Sequence, residues 1–332
     1  MTTNEEKKKK KNNKAVIVSH GDIDGIAGAA IIIRYLTLKK RIKEEKIKVM
    51  FTGPSILLQT LKKIKIKNAY IFITDLSINK TTKEEIIQQI IKLKTDKNRI
   101  YWIDHHKWNE DDIEKIRVNI DELIIKKTPS ATRVVYERLM KEDQISKRIA
   151  EYADDIDSLT DKLEESFVLR VLSCKKEWRK RLLKKFIRGP IIDEEIKKEA
   201  KKIRNLMKNE LNKAIKKIKI KKTKSGLKFG FMDLREAKIP RSWLARKIAE
   251  KYMLDFSLVW RKDNAMSLYI GTRDRNINLL PVATYYGGGG HPFACGFKIK
   301  ISPISRLLNH IFRGIYIPRE IKKAIKIVIE KI

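Results

Sequence analysis

The chain has 332 residues, of which 42% are hydrophobic, and it carries a formal net charge of +35. This length and apolar content suffice for two domains, while the presence of only two cysteines excludes a disulfide framework and a thiolate zinc site. The excess of 76 basic over 41 acidic residues favours a polyanionic partner, with nucleic acid ahead of an anionic membrane surface, although a compositional bias toward Lys and Ile also contributes.

The N-terminal sequence MTTNEEKKKKKNNK contains no apolar stretch and is therefore unlike a signal peptide. No apolar run reaches the roughly 20 residues that a transmembrane helix needs. We therefore expect a cytoplasmic protein with a disordered basic tail over residues 1–14.

Residues 14–138 alternate short β-rich runs with helical stretches. This alternation is typical of parallel βαβ units with helices on both faces of one sheet. We therefore expect an α/β domain over residues 15–160. Its predicted strands are KAVIVS, KVMFTG, NAYIFIT, NRIYWI and ELIIKK, and its predicted helices include AGAAIIIRYLTLKKRI, PSILLQTLKKI and TKEEIIQQIIKL.

The remainder of the chain predicts a linker and a second domain. Residues 161–224 are heavily charged and show no strand pattern, which indicates a helical linker. Residues 225–302 contain four strand-like runs around the helical stretch SWLARKIAEKYML, so we expect a smaller α+β domain there. The sequence PREIKKAIKIVIEKI predicts a basic amphipathic helix within a C-terminal tail over residues 303–332.

Acidic residues and histidines follow three predicted strands of the first domain. Because ligands bind at the carboxyl ends of parallel strands, we expect these side chains to meet at one edge of the sheet. Carboxylates this close require a counter-ion, and oxygen and imidazole ligands without sulfur favour Mn²⁺ over Mg²⁺. So many ligands suit two metal ions, an arrangement typical of displacement at phosphorus. The residues are His20, Asp22 and Asp24 after the first strand, Asp75 after the third, and Asp104-His105-His106 after the fourth.

These motifs resemble those of the DHH phosphoesterases, a family named for the triplet that occurs here at residues 104–106. HGDIDG at 20–25 resembles the first motif of the family, and ITDLS, which contains Asp75, resembles the second. GGGGHPFACGF at 287–297 resembles the signature of the family's DHHA1 domain. Length and composition resemble RecJ-type single-strand exonucleases, particularly archaeal ones, and also the shorter nano-RNA and nucleotide phosphatases.

The resemblance implies two metal ions and a ligand role for five residues. His20 and Asp22 would bind one ion. Asp24 and His105 would bind the other. Asp75 would bridge the two ions, which implies that hydrolysis depends on this carboxylate.

The resemblance also implies catalytic residues beside these ligands and one further acidic ligand. Asp104 and His106 would orient the ligands and contact the scissile phosphate. The fourth motif of the family is an acid after a small residue, and it falls in AEYADDID. Asp154, which follows an alanine, is the first choice, while Asp155 and Asp157 are the alternatives.

Four consecutive glycines, residues 287–290, precede His291. Exposed backbone N–H groups in such a loop suit an anion, and a flexible hairpin is the alternative interpretation. The DHHA1 resemblance implies that His291 and Arg273 hold substrate phosphates and face Asp104 and His106. The substrate-binding groups predicted in this domain are Gly288, Gly289, Gly290, His291 and Arg273.

The stretch CKKEWRKRLLKKFIRGP, residues 174–190, places basic residues around Trp178 and Phe186. Aromatic rings between Lys and Arg suit single strands, because bases stack on the rings while phosphates pair with the cations. The alternative is an amphipathic helix that buries its aromatic face. The predicted contacts to nucleic acid are Lys180, Arg181, Lys184 and Lys185.

Three functions remain open at this point. The first is a RecJ-like exonuclease on single-stranded nucleic acid, 5′→3′ on DNA with RNA as a further substrate, which the net charge favours. The second is a phosphatase for short oligonucleotides or nucleotides, which the modest length favours. The third is an inactive DHH scaffold in DNA replication or repair. The presence of every expected ligand type argues against this function. A helicase or another replication or repair protein is an expected partner of the first.

Overall fold

The computed structural model describes residues 13–78, 80–158, 160, 162–271, 277–312 and 316–332. The chain divides into two compact units, Met1–Ala200 and Lys201–Ile332. Of the predicted basic tail, residues 1–12 lie outside the described ranges. Within those ranges, no helix is both long enough and apolar enough to span a membrane.

The first unit is built on a parallel sheet of five strands, which confirms the predicted α/β class. Its strand order is β2-β1-β3-β4-β5, so the direction of winding changes between β1 and β3. Ligands in open α/β sheets bind at such a switch point, outside the carboxyl ends of the strands. The strands are β1 (Ala15–His20), β2 (Ile47–Thr52), β3 (Tyr70–Thr74), β4 (Arg99–Asp104) and β5 (Glu122–Ile125).

Helices cover both faces of this sheet. Helix α1 is apolar on nearly all sides and almost fully buried, because it packs against α5, α6 and α8 as well as the sheet. On the other face, α2, α3 and α4 bury aliphatic side chains against the strands. The helices are α1 (Ile23–Leu38), α2 (Leu57–Lys62), α3 (Lys83–Thr95), α4 (Glu110–Arg117), α5 (Ala131–Leu139), α6 (Gln144–Asp157), α7 (Ser166–Ser173) and α8 (Lys176–Arg188).

The second unit contains a mixed sheet of six strands in the order β10-β11-β9-β8-β7-β6. Strands β7 and β8 are parallel, and the other neighbouring pairs are antiparallel. Helix α9 (Glu194–Ile215) begins in the first unit and ends in the second. The strands are β6 (Lys219–Lys222), β7 (Lys228–Asp233), β8 (Phe256–Trp260), β9 (Ala265–Ile270), β10 (Gly289–His291) and β11 (Ala294–Lys298), and the helices are α10 (Arg241–Tyr252), α11 (Leu280–Tyr285), α12 (Pro303–Ile311) and α13 (Arg319–Lys331).

The structure divides the chain differently from the predicted boundaries. Helices α7 and α8, expected in the linker, belong to the first unit. Strand β6, also expected in the linker, forms an edge of the second sheet. Helix α13, expected in a tail, buries Ile321, Ala324 and Val328 in the core of the second unit. The amphipathic patterns of α8 and α13 do not identify the core that each helix covers, and β6, whose four residues are exposed, has no strand pattern in its sequence.

Candidate metal centre

The register of the first sheet brings three predicted residues to the same level of one edge. Ser19 pairs with Thr74, and Thr74 pairs with Ile103 on the next strand. The residues that follow them are His20, Asp75 and Asp104. The three motifs therefore meet at the carboxyl edge of neighbouring strands, as the alternating sequence pattern predicts.

A tight turn after β1 adds two more carboxylates to this edge. Asp22 is the N-cap of α1 and accepts a hydrogen bond from Gly25 N at 3.2 Å, and Asp24 lies in the first turn. A Cβ at Gly25 would lie 2.3 Å from the backbone oxygen of His20, so only glycine allows the chain to fold back this closely. The HGDIDG motif is thus a compact strand-to-helix turn.

The first group of potential metal ligands contains His20, Asp22 and Asp75. His20 Nδ1 lies 2.7 Å from Asp22 Oδ2 and 3.6 Å from Asp75 Oδ2. One donor atom of each residue lies within 4.8 Å of the others, so the three can bind one ion together.

The second group contains Asp24, His105 and Asp157. His105 Nε2 lies 3.7 Å from Asp24 Oδ2 and 3.6 Å from Asp157 Oδ2. It also lies 3.8 Å from Asp75 Oδ1. Asp75 therefore directs one oxygen toward each group, which is the arrangement that a bridging carboxylate needs.

The tautomer of His105 favours a metal ion at this position. Its Nδ1 lies 3.3 Å from the carbonyl oxygen of Thr128. A carbonyl only accepts hydrogen bonds, so Nδ1 carries a proton and Nε2 is the ring nitrogen that faces the carboxylates. This orientation leaves Nε2 as the atom that can bind a metal ion. The same device, a second-nitrogen hydrogen bond to a carbonyl, orients metal-binding histidines generally.

The N-terminus of α5 holds Asp24 in place. The backbone N–H groups of Ala131 and Thr132 donate to its two oxygens at 2.7 and 2.8 Å, and the Thr132 hydroxyl donates to its carbonyl oxygen at 2.7 Å. This helix terminus provides partial positive charge beside a carboxylate that is only 2% exposed. Asp24 is therefore fixed before any ion binds.

Asp104 does not face the ligand groups directly but supports His106. Asp104 is fully buried, and its Oδ1 accepts a hydrogen bond from His106 Nδ1 at 2.8 Å. Trp108 Nε1 donates to the other oxygen at 2.7 Å. Burial raises the pKa of Asp104, but the hydrogen bonds from His106 and Trp108 and the charge of His106 together outweigh it, so the net pKa is below the usual value. One donor atom of His106 lies within 4.8 Å of those of Asp75 and His105.

The structure places the candidates for the fourth motif in different surroundings. Asp154 accepts a hydrogen bond from Ser130 Oγ at 2.6 Å and forms an ion pair with Arg133 at 2.5 Å. Asp155 accepts backbone hydrogen bonds from the loop at 162–163. Among the residues that the structure describes, the ligand groups include Asp157 and omit Asp154. The first choice from sequence is thus engaged elsewhere, one helical turn away from the cluster.

The electrostatics of the cluster also fit a divalent cation. Burial raises the pKa of Asp75 well above its usual value, and the negative charges of Asp24 and Asp22 raise it further. Burial, followed by the charge of Asp24, raises the pKa of Asp157 to about 7. Asp75 Oδ2 is buried and accepts no hydrogen bond from the described residues. A buried, unpartnered carboxylate oxygen among other carboxylates is costly unless a cation neutralises the group.

Asp75 also has an unusual backbone conformation. Its φ is 56°, in the left-handed region that residues other than glycine seldom adopt. Aspartate tolerates this region better than most residues, and such conformations concentrate at functional sites. This backbone conformation supports a functional role for Asp75.

In the second unit, the glycine-rich loop is part of a β-hairpin. The N–H groups of Gly287 and Gly288 donate to the carbonyls of Thr284 and Ala283 at the end of α11, so they are not available to an anion. Residues Gly289–His291 form β10, which pairs with β11. A Cβ at Gly288 would lie 2.1 Å from Gly296 O, so the loop needs glycine for close packing.

The predicted phosphate contacts of this unit are only partly described. His291 is exposed at the edge strand, where its ring stacks on Phe293 with centroids 5.3 Å apart. Arg273 lies outside the described residues. The substrate role of both residues stays a prediction.

The basic stretch forms α8, and its aromatic residues fit the interpretation of an amphipathic helix with a buried aromatic face. Trp178 and Phe186 are 5% and 0% exposed and belong to the buried face of the helix, so they are not platforms for bases. Lys180, Arg181 and Lys184 are exposed. Of the four predicted contacts, Arg181 pairs with Glu195 at 3.1 Å, and Lys185 pairs with Asp193 and Glu195.

Sequence reasoning overlooked three residues around the cluster. Trp108 binds Asp104, and its position four residues after the acid was a usable signal. Arg133, on α5, forms an ion pair with Asp154, on α6. This contact joins two different helices, so no local sequence pattern predicts it. Arg179 lies against Gly21, the residue between His20 and Asp22, and its sequence position among the basic residues of α8 gave no sign of this contact.

Comparison with protein families finds a match over residues 14–157 to the N-terminal domain of the DHH family. No curated protein sequence matches the chain significantly. A solved DHH-domain structure, described as a member of a family of ribosomal proteins, is 16% identical, has a TM-score of 0.62, and matches over 86% of this chain and 82% of its own.

Two further solved structures share this architecture. The pGpG-specific phosphodiesterase PggH from Vibrio cholerae is 17% identical, with a TM-score of 0.55, over 91% of this chain and 98% of its own. RecJ from Thermus thermophilus, in complex with Mn²⁺, is 14% identical, with a TM-score of 0.53, over 95% of this chain and 52% of its own. The chain thus spans about half the length of that RecJ. At these identities the likeness concerns the fold.

Proposed function

Residues 14–157 form a DHH-family domain, and on this premise we propose that the chain is a metal-dependent phosphodiesterase that degrades single-stranded nucleic acid from one end, 5′→3′ on DNA with RNA as a further substrate. Members of the DHH family are metal-dependent phosphoesterases. The observation that carries the proposal is the position of Asp75, whose buried Oδ2 accepts no hydrogen bond from the described residues and whose two oxygens face different groups of potential ligands.

The proposed ligand sets follow from the distances. One set is His20, Asp22 and Asp75, and the other is Asp75, Asp24, His105 and Asp157. Asp157 replaces Asp154 in this proposal, because Asp154 is neutralised by Arg133. Two divalent ions, with Mn²⁺ preferred and Mg²⁺ accepted, would supply charge stabilisation at the phosphoryl oxygens and a lowered pKa for water.

The residues of the chain would position the substrate around this centre. His106 is oriented by Asp104, which in turn accepts a hydrogen bond from Trp108, and it would contact the scissile phosphate with its remaining ring nitrogen. His291 and Arg273 are proposed to bind further phosphates, as the DHHA1 resemblance implies. The net charge of +35 favours a substrate with several phosphates.

A second candidate is a phosphodiesterase for dinucleotides and other short oligonucleotides. Burial of Trp178 and Phe186 removes the aromatic platforms that would have favoured a long single strand. The match to PggH, described as specific for pGpG, extends over 98% of that chain, whereas the match to RecJ extends over 52% of that protein. These observations favour a short substrate.

One assay distinguishes the two candidates. End-labelled DNA and RNA strands of graded length are incubated with Mn²⁺, Mg²⁺ or EDTA, and the products are separated by size. We expect metal-dependent release of mononucleotides from strands of every length, with faster turnover of longer strands if the exonuclease proposal is right. Cleavage confined to dinucleotides would favour the second candidate, and no cleavage with any ion would contradict both.

A further inference from the structure

An arginine from α8 lies directly against the first metal-ligand motif. A Cβ built on Gly21 would lie 2.7 Å from Arg179 Nη1 and 2.8 Å from Cζ. The guanidinium therefore occupies the space beside the Cα of Gly21, which separates His20 from Asp22 in the chain. Both residues lie in the first unit, so this contact belongs to the same compact body as the cluster.

The position of Arg179 is fixed by its helix. Trp178, Leu182 and Phe186 anchor α8 with side chains that are at most 5% exposed. Arg179 itself is half-buried, and its Nε donates to the carbonyl oxygen of Ser173 at 3.3 Å. The terminal Nη groups make no hydrogen bond or ion pair with residues in the described ranges. The Nε hydrogen bond therefore fixes the side chain, while the Nη groups can donate to a ligand.

The free Nη groups distinguish Arg179 from two other arginines of the first unit. Arg133 is paired with Asp154 at 2.5 Å, and Arg34 is paired with Asp143 at 2.7 Å. Arg179 lies against Gly21, the residue between His20 and Asp22, yet no described carboxylate oxygen lies within ion-pair distance of its guanidinium. A cation in this place adds to the charge that an anionic substrate meets at the edge of the cluster.

We propose that Arg179 binds non-bridging oxygens of a substrate phosphate next to the metal centre. This inference rests on the proposed function, because it assigns a phosphate of that same substrate to a specific side chain. A guanidinium offers paired N–H donors that match phosphate oxygens, and it remains charged at every physiological pH. Glycine at position 21 serves the contact, since any side chain there would displace the guanidinium.

The first test measures binding without catalysis. The probe is a fluorescein-labelled DNA strand of about six nucleotides, titrated by fluorescence anisotropy in EDTA, with inorganic phosphate as competitor. Arg179→Ala should weaken binding about tenfold or more and reduce the log–log salt slope by about 0.7, the loss of one single-strand phosphate contact. The affinity of Arg179→Lys should lie between those of wild type and Arg179→Ala. Arg188 is an exposed arginine on the same helix, and Arg188→Ala is the matched control. Equal binding by wild type and Arg179→Ala would overturn the inference.

The second test uses a double-mutant cycle with Gly21→Ala. Each single variant should lower kcat/KM about 10- to 100-fold with the Mn²⁺ content and Tm near wild type, because the added methyl group displaces the same guanidinium. In the Arg179→Ala background, Gly21→Ala should add little further loss. Additive losses would show that Gly21 acts independently of Arg179. If the wild type hydrolyses nothing, the proposed function fails, while the EDTA titration still decides the role of Arg179.

Discussion

Asp75 Oδ1 lies 3.8 Å from His105 Nε2, while the other oxygen of Asp75 is buried and accepts no hydrogen bond from the described residues. A hydrogen-bonded structural carboxylate would not leave one oxygen in this state, because burial without a partner costs free energy. The relationship is explained if the carboxylate joins two metal ions.

Asp157, and not Asp154, should bind metal. Asp157→Asn should weaken Mn²⁺ binding at least about tenfold, because it removes a charged donor 3.6 Å from His105. Asp154→Asn is the matched control from the same helix. It should leave Mn²⁺ affinity near wild type but lower Tm, because Arg133 loses its partner. Isothermal titration with Mn²⁺ and thermal unfolding of both variants measure this, and a reversed order of metal affinities would restore Asp154 as the ligand.

Trp108→Phe should weaken the support of Asp104. The change removes the indole N–H that donates to a fully buried carboxylate, at a cost of about 1–3 kcal/mol in unfolding free energy. The pKa of Asp104 is held below its usual value in the folded state, so this stabilisation is present at neutral pH and is lost as pH falls through the folded pKa. Denaturant unfolding at neutral and acid pH should therefore show a larger difference at neutral pH.

Trp260→Phe is the control for Trp108→Phe. It also shortens a fully buried indole, but the Nε1 of Trp260 donates no hydrogen bond to the described residues. The loss of unfolding free energy in Trp260→Phe should be the same at neutral and acid pH. A pH-independent effect of Trp108→Phe of the same size would argue that only ring packing was lost.

Stabilisation by metal should increase with pH. Asp157 has a pKa raised to about 7 by burial and by Asp24, and the pKa of Asp75 is raised as well. An acid with a raised folded pKa stabilises the metal-free fold below its unfolded pKa of 3.8, and this contribution is lost as pH rises through the folded value. Metal binding requires the ionised ligands, so the increase in Tm on adding Mn²⁺ should be larger at about pH 8 than at about pH 5. Equal increases at both values would contradict the ligand assignment.

The exposed cations of α8 should contribute to binding of long strands. Reversing Lys180, Arg181 and Lys184 to Glu should flatten the salt dependence of binding to a strand of roughly 15–20 nucleotides, which we expect to be steeper than about −3 on a log–log scale. Hydrolysis of a dinucleotide should change little. Lys185 is left intact, because its ion pairs with Asp193 and Glu195 give it a structural role.

A charge-matched control separates this surface from net charge. Lys198, Lys201 and Lys208 are exposed on α9, and their reversal changes the charge by the same amount. If this control flattens the slope equally, α8 has no specific role. If neither variant changes the slope and dinucleotides are the better substrates, the second candidate function is favoured.

The sequence predicted the first sheet and most of the side chains that meet at its carboxyl edge, because both depend on local patterns. Alternating apolar runs defined the five parallel strands, and the carboxyl ends of those strands located His20, Asp75 and His105. The choice between Asp154 and Asp157 was different. It depends on which turn of α6 reaches the cluster, and on Arg133 from another helix, so no window around the motif contains the answer.

The second unit and α8 show where composition misleads. Basic residues around Trp178 suggested a base-stacking surface, but the ring is needed for the core of the first unit. Consecutive glycines suggested an anion-binding loop, but two of their N–H groups close a helix end. In both cases the residues satisfy packing and backbone hydrogen bonds, requirements that a single sequence does not reveal.

The measurement that tests the central claim most directly is the number of Mn²⁺ ions bound per chain, determined by equilibrium dialysis for wild type and Asp75→Asn. Asn is nearly isosteric but neutral, so the fold should persist and the metal-free Tm should stay equal or rise. We predict two ions for wild type, and for Asp75→Asn at most one weakly bound ion and no detectable hydrolysis of single strands. Two tightly bound ions together with near-normal hydrolysis in Asp75→Asn would contradict the claim that Asp75 bridges a two-metal centre.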